Sequence, residues 1–151
     1  MLAVAATGKV RDGRFGKYRA NIRLYAVSTL HLGYPANRRA LERLRWYPND
    51  WLILAGDIGE VGEHLDFALS MTTRRFARVM EVPGNHDLWS VGSDREFRGQ
   101  SKYDYLGSIC RVYGVLTPKD PYVRWPGDWT KIERTFRDGS TLGVHLITFT
   151  Y

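Results

Sequence analysis

The chain has 151 residues, a formal net charge of +6 and a single cysteine. That length suits one domain of common size, roughly 100–150 residues, and one cysteine excludes an intramolecular disulfide framework and a cysteine-built zinc site. Hydrophobic residues make up 44% of the chain, yet no apolar run approaches the roughly 18–20 residues that cross a bilayer, so the composition predicts a soluble, cytoplasmic protein without a membrane partner.

The charge is unevenly placed. Residues 1–23 carry six basic side chains against Asp12 alone, whereas the rest of the chain is nearly neutral at +1. The leader is interrupted by Gly8, Gly13 and Gly16 and shows no apolar period before Ile22. Residues 1–21 therefore read as a basic flexible arm and residues 22–151 as the folded part. A neutral body does not favour a nucleic-acid partner.

Ile22 to Val27 reads as a strand ending at Ser28-Thr29. Asn37 stands where a cap should precede a helix over 38–46, and Pro48-Asn49-Asp50 breaks it. Trp51 to Ala55 is a continuous apolar run, expected of a strand buried on both faces. A helix follows from about Glu63 to Thr73, with Leu65, Ala68, Leu69 and Thr72 on its apolar face. Phe76 to Val82 is the next strand, ended by Pro83-Gly84. Ser101 could cap a helix carrying Leu106, Ile109 and a buried Cys110, and 117–121 forms a loop. Asp138-Gly139 between alternating stretches signals a hairpin. Trp46 and Trp51 read as core. The order strand, helix, strand, helix, strand predicts a layered α/β sheet with parallel pairing.

Three of these strands finish in small polar clusters: Thr29-Leu30-His31, Gly56-Asp57 and Gly84-Asn85-His86-Asp87. Parallel sheets gather their C-terminal strand ends on one edge, so the clusters should converge. His, Asp and Asn are competent divalent-metal ligands. A carboxylate placed directly after an apolar strand is costly unless it meets a cation or several donors.

Ser28-Thr29-Leu30-His31, Leu54-Ala55-Gly56-Asp57 and Val82-Pro83-Gly84-Asn85-His86-Asp87 together resemble the calcineurin-like metallophosphoesterase superfamily, the third element most specifically. The resemblance implies a phosphatase-type hydrolase that acts on a phosphorylated mono- or diester substrate through a metal-activated water. It implies His31 as a ligand of a first metal, Asp57 as a bridge between two metals and Asn85 as a ligand of the second. It makes His86 a non-ligand proton donor near the leaving group, with Asp87 fixing its orientation. The divalent metal would be Mn, Fe, Zn or Ni.

Two departures weaken that expectation. Thr29 occupies the position of the family's first aspartate, and a neutral hydroxyl is a weaker ligand than a carboxylate. The family's downstream histidines are absent, since the chain has only His31, His64, His86 and His145. His64 reads as a helix-surface residue and His145 as lying within a strand. The expectation is thus an N-terminal portion of the domain, truncated, with an incomplete dinuclear site and weak or no activity. The alternative is a non-catalytic remnant or interaction module of the same fold. An incomplete sheet would also leave edges that a second copy could cover, giving a homo-oligomer.

Overall fold

The computed structural model describes residues 3–11, 18–121, 123, 133–135 and 141–143, with side chains at 22–121 and 123. One sheet holds β1 (Ala3–Arg11), β2 (Tyr18–Val27), β3 (Tyr47–Ala55) and β4 (Phe76–Val82) in that spatial order. The β1 strand is antiparallel to β2, while β2, β3 and β4 run parallel. The two parallel steps are crossed by α1 (Pro35–Glu42) and α2 (Gly62–Thr72). After β4 come a short 3-10 turn at Gly92–Asp94 and α3 (Gln100–Val112). Leu116 then returns alongside β4, its carbonyl accepting from the Glu81 N–H at 2.8 Å. A separate antiparallel pair joins β5 (Glu133–Thr135) to β6 (Thr141–Gly143). This is the mixed α/β architecture that the pattern of apolar runs predicts.

Period-two alternation decides which face of β2 and β3 is covered. Leu52 and Leu54 of β3, with Tyr25 and Val27 of β2 and Phe76 and Val79 of β4, pack against Leu41, Leu65, Ala68, Leu69, Leu106 and Cys110 from the helices. Each fully buried aliphatic side chain contributes about 1.5–3 kcal/mol relative to exposure. The opposite face carries only a small cluster, Leu24 and Trp51 with Ile22, Ile53 and Met80. The β3 strand is therefore buried fully on one face and partly on the other, with Ala55 exposed at its end.

The elements depart from the sequence reading in specific places. Ala3–Arg11, part of the expected arm, forms a strand whose backbone pairs with β2 from Tyr18 onward, with register irregularities at Val4/Ala6 and Lys9/Val10. Main-chain pairing of an edge strand does not require apolar alternation, so no such signal marks it. The α1 helix starts at Pro35 rather than after Asn37, because proline is preorganised for the first helical position. Asn37 lies inside the helix, and its amide donates to the Leu30 carbonyl at 2.7 Å. Pro48–Asp50 sits within β3 as a register irregularity, where Asp50 accepts from the Arg23 N–H at 2.8 Å. Trp46 is 69% exposed rather than core. Gly99 precedes α3, and the Ser101 hydroxyl instead accepts from the Arg98 N–H. The pairing of Thr135 with Thr141 agrees with the expected hairpin, whose Asp138-Gly139 tip lies outside the described residues, as does His145. No helix among the described residues is long and apolar enough to cross a membrane.

Candidate metal centre

The ends of β2, β3 and β4 continue as hydrogen-bonded loops, which brings the three polar clusters together. Thr29 N–H donates to the Gly56 carbonyl at 3.1 Å, and His31 N–H donates to the Asp57 carbonyl at 3.0 Å. Thr29, His31 and Asp57 all have positive φ, at 59°, 43° and 55°. Non-glycine residues rarely hold that conformation, which costs of order 1–3 kcal/mol each and clusters at functional sites. Gly56 and Gly84 allow the last close approach. A Cβ on Gly56 would fall 2.8 Å from the Gly84 Cα, and one on Gly84 would fall 2.4 Å from an Asp57 carboxylate oxygen.

His31, Asp57 and His86 each offer a ligand atom, and the three atoms lie within 4.8 Å of one another. Among the described residues they are the one such cluster of His, Cys, Asp or Glu. The imidazoles of His31 and His86 meet edge to face, with centroids 4.8 Å apart. Two imidazole nitrogens and one carboxylate, all half-buried, suit a borderline divalent ion. The donor chemistry thus fits a metal of the expected class. His86, read from sequence as a non-ligand, stands close enough to belong to the donor set. Asn85 is exposed on the same edge, and Thr29 is exposed with its hydroxyl toward Ser28 Oγ at 3.4 Å.

Asp87 does not orient His86. Its carboxylate is buried and accepts four main-chain N–H groups: Asp57 at 2.7 Å, Ile58 at 2.8 Å, Gly59 at 3.0 Å and Gly84 at 2.7 Å. A charge so surrounded by donors tolerates burial, and it clamps the β3–α2 loop to the end of β4. The carboxylate that faces His86 is Glu60, with Oε1 3.8 Å from Nδ1. That Nδ1 is buried and has no hydrogen-bond partner among the described residues. The tilted ring of Trp89 packs over His86 with centroids 3.9 Å apart.

Glu60 and the groups that hold it escaped the sequence reading. Lys102 is fully buried on α3, where its ammonium donates to the Glu60 carbonyl at 3.2 Å and pairs with Asp94. Asp94 also accepts from the Gly62 N–H at 2.6 Å, satisfying a donor at the start of α2. Burial alone would raise the Asp94 carboxyl, but Lys102, Gly62 and Ser93 hold it below the usual range. The one local signal for Glu60 was an acid three residues beyond Asp57. For Lys102 and Asp94 there was none. His64, expected on the surface, is half-buried against Gly59, and that burial pushes its imidazole down. Cys110 is the buried small hydrophobe expected, its thiol pushed up by burial and by Glu81.

The sequence pattern of the calcineurin-like phosphoesterase family matches residues 22–142. A protein of Mycobacterium tuberculosis named [acyl-carrier-protein] phosphodiesterase PptH is 42% identical over 104 residues, covering 68% of this chain and 32% of that protein. The crystal structure of phosphopantetheinyl hydrolase (PptH) from the same organism matches with a TM-score of 0.66 and 41% identity, covering 70% of this chain and 38% of that one. The chain thus spans about a third of the length of these relatives.

Proposed function

The chain belongs to the calcineurin-like phosphoesterase family, and from that premise we propose that it hydrolyses a phosphodiester at the His31–Asp57–His86 centre, with slow turnover. The observation that carries this reading is the convergence of those three side chains within 4.8 Å. His31 and Asp57 would hold a divalent ion, which when bound supplies an activated water and neutralises phosphoryl charge. His86 donates a proton to the departing oxygen, and Glu60 stands 3.8 Å from its Nδ1. Slow turnover follows from Thr29, a neutral residue where the family pattern places a carboxylate. The names of the relatives support a phosphopantetheinyl ester on a carrier protein as substrate.

The decisive experiment incubates the manganese-loaded chain with a phosphopantetheinylated carrier protein and follows release of the arm by mass. Release that depends on manganese and on Asp57 is expected; none above the metal-free control would sink the reading. The role of His86 is tested separately. His86→Ala should slow an alkyl phosphodiester by roughly 10²–10⁴-fold but slow bis-nitrophenyl phosphate much less, because nitrophenolate departs without a proton. Equal losses on both would make His86 a ligand alone.

A further inference from the structure

The turn that follows the metal loop is apolar, exposed and held still. Leu88, Trp89 and Val91 are 38%, 45% and 40% exposed, three large hydrophobic residues within four positions. Isolated exposed apolar residues need no explanation, but three within four positions, one of them in ring contact with His86, do. The segment is well anchored. Leu88 N–H donates to the Asn85 carbonyl at 3.2 Å and Trp89 N–H to the His86 carbonyl at 3.2 Å. Ser90 Oγ donates to the Phe97 carbonyl at 2.5 Å, and Phe97 stacks on Tyr105 with centroids 4.3 Å apart. Buried Asp94 pins the same segment to Gly62 and Lys102. Among the described residues, these side chains are not among those that pack on the main core.

We propose that Leu88, Trp89 and Val91 form a docking rim for the polypeptide that carries the phosphodiester, with Trp89 as its specificity-determining anchor. The inference rests on the hydrolase reading above for the identity of the ester. A phosphodiester on a carrier protein joins an organic arm to a protein hydroxyl. Its hydrolysis breaks the bond from phosphorus to that hydroxyl oxygen, water supplies the new P–O bond, and the protein oxygen leaves with a proton. His86 stands on the leaving side, so the surface that continues from His86 meets the protein rather than the arm. Trp89 is that continuation, in ring contact with His86. Tryptophan anchors are enriched where polypeptides bind tightly. An anchor held by a rigid turn also loses little conformational entropy on docking.

The test separates docking from turnover. Metal-free wild-type chain is titrated by calorimetry with phosphopantetheinylated carrier protein, beside Leu88→Ser, Trp89→Ser and Val91→Ser. A measurable wild-type affinity, weakened at least tenfold by Trp89→Ser and severalfold by the other two, is expected whether or not the chain turns over. Wild-type binding that all three variants retain, or no wild-type binding, overturns the rim. In manganese, Trp89→Ser should raise KM for the carrier-protein ester at least tenfold more than for bis-nitrophenyl phosphate. Equal changes would make Trp89 a support for His86 only. If sedimentation shows the variants dissolving a self-association while leaving carrier binding intact, the rim belongs to a second copy and the proposal falls.

Discussion

At the scale of single residues, two buried carboxyls are hydrogen-bonded in opposite ways. Asp87 is surrounded by four N–H donors, which satisfy both of its oxygens. Asp87→Asn turns one acceptor into a donor facing two of those groups, and urea denaturation should register a loss of about 2–4 kcal/mol. A variant as stable as the parent would mean that the clamp is dispensable. Glu81 is buried on β4; among the described residues the Cys110 thiol, at 3.7 Å, is the one hydrogen-bond partner of its carboxyl, and Oε1 is unpartnered. Burial, and secondarily the charge of Asp87, push its carboxyl up to about 7 from an ordinary 4.5. The folded state therefore holds a proton that the unfolded state releases. Stability from this group is full below pH 4.5, declines as pH rises toward 7 and is flat above that, for a total of order 3 kcal/mol. Glu81→Gln should match the parent at pH 4.5 and exceed it at pH 8. Parallel pH profiles for the two proteins would show that Glu81 does not titrate in this window.

At the scale of elements, the two glycines at the strand ends decide whether the loops of β3 and β4 can meet. An alanine at Gly84 would set its methyl 2.6 Å from the Asp57 main-chain nitrogen, a neighbour that cannot swing aside. Gly84→Ala should cost about 1–3 kcal/mol and weaken manganese binding at least tenfold, both readable from a calorimetric titration and a melt. An unchanged affinity would show that the ion does not depend on this juncture. The same elements explain what was legible beforehand. The β4 strand matches its sequence reading end to end, and α2 departs by a residue, because continuous apolar runs and a helical stripe are local signals. His31, Asp57 and His86 were legible because a parallel sheet places its strand ends on one edge. The partner of His86 was not. Glu60 reaches it from the β3–α2 loop, held there by Lys102 from α3 forty-two residues later, and no local period encodes such a contact. The β1 strand was hidden for a different reason, since its pairing is made by the backbone.

At the scale of the whole molecule, the centre draws together three loops, two of which hold strained backbone conformations. His31 follows β2, Asp57 follows β3 and His86 follows β4, and the first two occupy left-handed backbone conformations. An ion held by His31 and Asp57 binds the native arrangement and has no equivalent site in the unfolded chain. Its binding free energy must therefore appear as folding stability. At a free manganese concentration 100 times the dissociation constant the gain is about 2.7 kcal/mol. For a chain of this size that corresponds to a rise in Tm of roughly 5–10 °C. Asp57→Asn should abolish the rise. Thr29→Asp should enlarge it at any fixed manganese concentration, because a carboxylate at the end of β2 would add the negative ligand that the hydroxyl lacks. A Tm that ignores manganese in the parent, or rises equally in Asp57→Asn, would place the ion elsewhere. An unchanged response in Thr29→Asp would leave the centre standing but detach Thr29 from it, and with it the account of slow turnover.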